Sequence, residues 1–463
     1  PIRRWGGNNS SRYNWQIGSL GATNLASDWY FENAPMHDPL TNQDVSADGW
    51  VAENTALGSQ SILTIPMIGY VAESANKTDC GFSTTIYPSQ DDIDVWAPCG
   101  NGKIGGVNIS GNNPLNTSIA VDQAFTTTWV EHLVNTHGSA ANGGVQFYNL
   151  DNEPELWHET HRDVHPSPLT YDELVNKTIA HAAALKAVDP TAQTLGYASY
   201  GWTGYWYSPA DTAWRQANGW AWPAPEYSAH GNAYLVEWYL QQLHSYELQN
   251  SVRLLDYLDF HFYPQGGTTL TTAGDAARQA LRMRSTRALW DPTYVDESWI
   301  GNAGPDGGVV KLIPRMQAWI ANNYPGTKIA ISEYNLGGTE HINGAVAQAD
   351  ALGIFARTGV DLAILFPSYA EDISNKPVGY ALRMYRNYDG AGAQFGDSYR
   401  QSVSTDESKL AVYSALKPDG TLTVMVINKD FSAIVAPLNL IATPNTFNLA
   451  KVYQYAGNAL TQI

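Results

Sequence analysis

Apolar positions along this chain follow two periods. Short apolar, often β-branched runs occur at 2–6, 61–67, 145–150, 194–200, 254–263, 328–332 and 362–366. These predict buried strands. Between them lie stretches with helical spacing. Phe125, Trp129 and Leu133 recur every fourth residue. Val175, Ile179, Ala182 and Leu185 line one face of a helix that starts at the capping box Thr170-Tyr171-Asp172-Glu173 and runs to about 188. Further helical stretches are predicted at 232–248, 275–290, 311–323 and 345–357. Strands alternating with helices point to the α/β class and a (β/α)8 TIM-type barrel. Seven strands are counted. The eighth is expected either before Pro1, so that Glu153 would end the fourth strand and Glu333 the seventh, or as a weak strand hidden in a long loop.

The period changes after the Gly-rich stretch 388–400. Beyond it come short alternating runs at 410–416, 421–428, 433–441 and 447–455. Pro418-Asp419-Gly420 predicts a hairpin turn between the first two. The expected division is therefore a catalytic barrel over 1–387 and a smaller antiparallel β-sandwich module over 388–463.

A chain of 463 residues fits a large barrel with a second module. Its formal charge of −18 argues against nucleic acid and anionic membrane surfaces, which need a basic footprint. No apolar run reaches the roughly 18 residues of a membrane span. Aromatic residues make up 12%, including 16 Trp, which suits stacking on sugar rings as well as it suits a ring-filled core. Cys80 and Cys99 are expected to close a small disulfide loop, in keeping with an extracellular, secreted protein whose start at Pro1 reads as processed.

Two strand ends carry chemistry. The run at 145–150 stops at Asp151-Asn152-Glu153-Pro154, and Pro154 is expected to hold Glu153 out of αR in an extended turn. The run at 328–332 stops at Glu333-Tyr334-Asn335. Barrels gather their active residues at the C-terminal ends of strands, so two such carboxylates can meet across a barrel mouth. Glycosidic bond cleavage needs one acid to protonate the leaving oxygen and one carboxylate to attack the sugar or activate water. Glu153 suits the first role and Glu333 the second. Asn152 is placed to bond a sugar hydroxyl. Tyr263, on a third tip reading His261-Phe262-Tyr263, is placed to donate to Glu333, and His261 lies on the same strand face. Either glutamate tip alone is a weak signal, since Asn-Glu-Pro often marks only a turn. Together they favour catalysis.

Residues 148–166, YNLDNEPELWHETHRDVHP, resemble the acid/base segment of glycoside hydrolase family 44. RRWGGNNSSRYNW at 3–15 and ISEYNLG at 331–337 resemble two further blocks of that family. The resemblance implies a retaining endo-β-1,4-glucanase acting on soluble cellulose, xyloglucan or related β-glucans, with Glu153 as acid/base, Glu333 as nucleophile and Asn152 as hydroxyl-binding neighbour. It implies a barrel with a small β domain and, in the family, an association with calcium. One departure stands out. The last strand tip reads Leu365-Phe366-Pro367, where the wider clan offers a Trp platform, so Phe366 takes that place.

Trp5, Trp29, Trp157, Trp202 and Trp299 are further candidate platforms, with Trp5 and Trp157 favoured because they flank strand tips. Asp91-Asp92-Ile93-Asp94, with Glu73 nearby, is a weak candidate for a structural Ca2+; the better reading is a solvated acidic loop. His158, His161 and His165 lack zinc-motif spacing and are expected to bond loop backbone. No cofactor is expected for the chemistry. The expected partner is a β-glucan polysaccharide and the expected state a monomer. The rivals are the same mechanism on xylan or mannan, and a sugar-binding barrel without turnover.

Overall fold

The computed structural model describes residues 1–21, 30–35, 45–268, 272–367, 372–441, 447–457 and 459–463. Seven strands form one sheet in sequence order: β1 (Ile2–Trp5), β2 (Gln60–Ile65), β3 (Phe147–Leu150), β4 (Gln193–Ser199), β5 (Tyr257–Phe262), β6 (Lys328–Tyr334) and β7 (Leu362–Leu365). β1 pairs with β2, β2 with β3, β3 with β4 and β4 with β5, each in parallel register. β3 and β5 are buried at every position, as strands covered on both faces are. The crossovers include α1 (Ala47–Ala56), α2 (Gln123–His137), α3 (Tyr171–Val188), α4 (Leu235–Asn250), α5 (Ala276–Ser285), α6 (Leu312–Asn323), α7 (Ile342–Thr358) and α8 (Pro377–Arg386). This is the (β/α) barrel architecture. Among the described residues the sheet has seven strands, in the positions read from the apolar runs.

Local chemistry explains where these elements start and stop. The Thr170 hydroxyl accepts the Glu173 N–H, as the capping box predicts, and such a cap is worth about 1 kcal/mol. Asp122 caps α2 in the same way. Val175, Ala182 and Leu185 are buried under α3, while Ile179 is only half-buried. Gly359 ends α7 at φ 74°, a conformation that a side chain would disfavour.

Backbone contacts group the chain into two units. One comprises Pro1–His261 with Ala318–Ser332, the other Phe262–Gln317 with Glu333–Ile463. The division passes through β5 and β6, so each of these strands belongs to both. In the first unit, Cys80 and Cys99 are joined in a disulfide, as expected. The loop it closes is pinned by short bridges from Glu32 to Cys80 and from Ser83 to Cys99.

In the second unit an antiparallel sheet of β8 (Ser398–Arg400), β9 (Leu410–Leu416) and β10 (Leu422–Asn428) is joined at the predicted Pro418-Asp419-Gly420 turn. It packs on α7. Gly353 of that helix leaves room for the Tyr413 ring, which would lie 2.2 Å from an added Cβ. A separate hairpin pairs β11 (Tyr453–Ala456) with β12 (Ala459–Gln462). The strand expected at 433–441 is absent. These residues are mostly exposed, with Val435 fully so, and an alternating pattern without a partner strand or a core to face does not make a ladder.

Candidate active site

The tip of β3 is built from a buried aspartate outward. Asp151 is fully buried and accepts from the Ser11 hydroxyl, the Met67 N–H, the Asn152 N–H and the Trp157 indole. Burial pushes its carboxyl up, and these four donors pull against it. They tie the tip to the segments that follow β1 and β2. Asp151 and Glu153 both adopt positive φ, 66° and 44°. The extended turn expected at Glu153 is therefore replaced by a left-handed one. Pro154 forbids αR, and the Glu153 N–H donates to Ala198 O at the end of β4, which selects the alternative. Non-glycine residues at positive φ cost about 1–2 kcal/mol each, and two within three residues is a feature of functional tips.

Glu153 Oε1 lies 2.8 Å from Nδ1 of His261, which is fully buried on β5. Tyr205 donates its hydroxyl to the His261 carbonyl at 2.8 Å and stacks on Phe260, fixing the strand there. Behind Glu153 sits Glu155, which accepts from Ser199. Burial, the largest cause, pushes its carboxyl up to about 8, with the nearby Glu153 charge adding to the rise. Sequence reading missed Glu155, whose neighbours come from β4.

On the tip of β6, Glu333 is 6% exposed, and Oε2 accepts the Tyr263 hydroxyl at 2.7 Å, the contact expected from sequence. Tyr334, the next residue, is buried and accepts from Gln348 at 2.6 Å. The loop that follows is held by Arg282, fully buried, whose guanidinium donates to Leu336 O at 2.9 Å and to Asn343 Oδ1 at 2.6 Å. Arg282 reads as one more basic residue of an exposed helix in the sequence, and nothing there marked it. His261 and Tyr263 are two residues apart, so their side chains leave the same side of the chain. One of them holds Glu153 and the other holds Glu333.

The other candidates divide. Asn152 is buried, and its Oδ1 accepts from Arg4 at 2.6 Å, which orients the amide. His261 is fully buried, with Nδ1 against Glu153. Trp5 and Trp157, the favoured platforms, are core residues. Trp5 is 6% exposed and donates to Val45 O, and Trp157 is wholly buried beneath Lys177. A residue that flanks a tip on the inner side of its loop packs under it. Trp202 is buried as well, and Trp29 lies outside the described residues. Phe366 is 37% exposed and Trp299 48% exposed, the latter donating its indole N–H to Gln265, so both keep ring surface open to solvent. Trp220 and Trp222, in the connection after β4, are exposed too and were not singled out from sequence.

The histidines of the β3 loop bond separate partners: His161 faces Asn8 O, His165 faces Glu173, and His158 is nearest Glu159. Asp91 spends both carboxylate oxygens on the N–H groups of Gly105 and Gly106, and Asp92 accepts from Tyr30. Asp94 instead lies against Glu32, a residue absent from the sequence expectation. Burial first, and Asp94 second, push the Glu32 carboxyl up to about 7.

Known proteins carry the same organisation. The sequence profile of glycoside hydrolase family 44 matches residues 22–266. Endoglucanase A of Paenibacillus lautus is 32% identical over 99% of this chain, which spans 64% of that protein's length. The structure of CelM2, a bifunctional glucanase-xylanase from a metagenome library, superposes with a TM-score of 0.85 at 42% identity, covering 94% of this chain and 82% of that one. A Paenibacillus polymyxa xyloglucanase of family 44, solved with xyloglucan, superposes with a TM-score of 0.74 at 27% identity, over 93% of this chain and 82% of that one. With the profile match, the barrel and these relatives in agreement, the chain belongs to glycoside hydrolase family 44.

Proposed function

We propose that this protein is a retaining endo-β-1,4-glucanase that cleaves internal bonds of soluble β-glucans, xyloglucan among them, by double displacement. Glu153 protonates the departing glycosidic oxygen. Glu333 attacks the anomeric carbon and forms the glycosyl-enzyme. Glu153, now a carboxylate, then takes a proton from the water that releases the sugar. The observation that carries this reading is the division of labour at the end of β5: His261 bonds one carboxylate, and Tyr263, just beyond the strand, the other. A phenol donor favours the ionised form that a nucleophile needs. Asn152, oriented by Arg4, bonds a sugar hydroxyl, and Phe366 and Trp299 offer ring faces.

The test is product analysis by NMR on xyloglucan and on unbranched cello-oligosaccharides. The first-formed anomer should keep the β configuration, and carboxyl groups about 5–5.5 Å apart are expected for this outcome. Early α anomer would overturn retention. Glu153→Gln and Glu333→Gln should each abolish turnover, and full activity in either would remove that residue from the mechanism. The name of CelM2 favours a second reading, in which xylan is also cut. Reducing-end release on a panel of glucan, xylan and mannan decides between them.

A structural calcium is part of the proposal. Glu32 is buried with the Asp94 carboxylate against it, a like-charge pairing that a divalent cation would relieve. Calcium added to chelator-treated protein should raise its melting temperature, and Asp94→Asn should remove that rise; an equal rise in the variant would place the ion elsewhere. Action outside the cell is also proposed, supported by the disulfide. No helix among the described residues is long and apolar enough to cross a membrane. Fractionation of the native host's culture would test the location.

A further inference from the structure

Beneath Glu153 lies a chain of fully buried polar groups: Asn149 on β3, Asp259 and His261 on β5, and Ser332 on β6. Asp259 is the end of this chain. Its Oδ1 accepts the Ser332 N–H at 2.8 Å. Its Oδ2 accepts the Ser332 hydroxyl at 2.6 Å and the Asn149 amide at 2.7 Å. Three donors converge on one carboxylate, which as an anion can only accept. A flipped Asn149 amide would set oxygen against oxygen at that distance, so the orientation is settled by the contact itself.

The direction of each remaining bond then follows. Ser332 has one hydroxyl proton, and Asp259 takes it. Toward His261 Nε2, 3.3 Å away, Ser332 Oγ can offer only a lone pair. Nε2 must therefore carry a proton, in both the neutral ring and the imidazolium. The tautomer of a histidine is set by the partner of its other nitrogen. In the neutral ring Nδ1 is left as an acceptor, and it faces Glu153 Oε1 at 2.8 Å. That contact is a hydrogen bond only when one proton lies between the two atoms, on the carboxyl or on the ring.

We propose that Asp259 and Ser332 are positioning residues that hold His261 with Nε2 protonated, so that Nδ1 is reserved for the proton that Glu153 gives up and takes back. The inference rests on Glu153 being the acid/base. When Glu153 passes its proton to the leaving oxygen, carboxylate and imidazole lone pairs face each other. This opposition makes Glu153 a stronger base for the water that follows, and taking the water's proton restores the bond. The proton count balances over the two steps, and no other donor is needed. The ionisable groups around the ring are Glu153, Glu155 and Asp259, with Glu333 next in the chain to Ser332.

The direct measurement is the 15N spectrum of the histidine side chains in the full chain, with His261 assigned by its loss in His261→Gln. Nε2 should be protonated in the wild type from about pH 5 to 8, and an Nδ1-protonated neutral ring would overturn the proposal whatever the activity. A kinetic measurement separates positioning from mere stability. Ser332→Ala should lower kcat/KM on a polymeric glucan, whose poor leaving group needs the acid, by about 10-fold or more. It should lower kcat/KM on a dinitrophenyl cello-oligosaccharide, whose leaving group needs none, far less. Ser332→Thr, which keeps the hydroxyl, should restore the polymer rate. Equal losses on both substrates would overturn the proposal. The wild-type spectrum decides the matter even where Ser332→Ala does not fold. An Nε2-protonated ring in a protein that cleaves neither substrate would uphold the hydrogen-bond assignment and sink the glucanase reading instead.

Discussion

Tyr263 was placed beside Glu333 by sequence reasoning alone, because it ends a third strand and strand tips gather at the barrel mouth. Its hydroxyl donates to Glu333 at 2.7 Å, and a hydrogen bond to a charged group is worth about 1.5–3 kcal/mol. On the proposed mechanism that bond orients Glu333 for attack and favours its departure as an anion when the glycosyl-enzyme breaks down, so Tyr263→Phe should lower kcat by roughly 10- to 100-fold with little change in melting temperature, since Phe keeps the ring. Steady-state kinetics beside a thermal melt checks this, and an unchanged kcat would reduce Tyr263 to a packing residue. The network under the site was less legible. Asp259, Ser332 and Asn149 come from three strands, and no spacing rule links positions whose proximity exists only after the sheet has formed. Trp157 erred the other way. Its place beside the tip was read correctly, but a ring next to a tip can face outward or pack beneath it, and only the loop path settles which.

At the scale of elements, apolar periodicity located the seven sheet strands and most of the helices, because burial on both faces leaves a strong continuous signal. It failed at 433–441, where alternation alone cannot supply a partner strand. The junction of β3 and β4 carries a consequence for pH. Glu155, after the β3 tip, accepts from Ser199 at the end of β4, and burial pushes its carboxyl up to about 8 from an ordinary 4.5. The folded state thus keeps a proton that the unfolded chain has released. Stability from this group is complete below about pH 4.5 and is lost as pH rises toward 8, at no more than about 1.4 kcal/mol per unit. Glu155→Gln carries a neutral group of the same shape. Urea midpoints measured from pH 4 to 8.5 should fall less steeply in the variant and should exceed the wild type at the alkaline end. Parallel curves would show that Glu155 does not titrate as its burial demands.

At the scale of the molecule, a boundary at 388 is a sensible reading of a Gly-rich stretch, yet composition is silent about what a module packs against. Within the second unit the sheet of β8, β9 and β10 shares a buried polar centre with α7. Asp350 of that helix accepts from Tyr413 of β9 at 2.7 Å, from Thr286 at 2.8 Å and from Lys429 at 3.1 Å, and the Asp350 and Lys429 side chains are 2% and 7% exposed. Arg357, in the last turn of α7, pairs with Glu407 just before β9. Removing one member of a buried pair leaves the other charged and unpaired, at a cost of about 3–5 kcal/mol. Asp350→Ala strands Lys429 and takes the partner from Tyr413 as well, so it should cost at least that much. Because these groups bridge α7 and the C-terminal sheet, the loss should appear in both at once. Calorimetry of the wild type should show the C-terminal sheet melting with the segment that carries Glu333. In Asp350→Ala that joint transition should fall by several degrees, with activity lost along it. A separate low-temperature transition that leaves glucan cleavage intact would mean that the sheet is an independent module, and the boundary at 388 would then be a thermodynamic one.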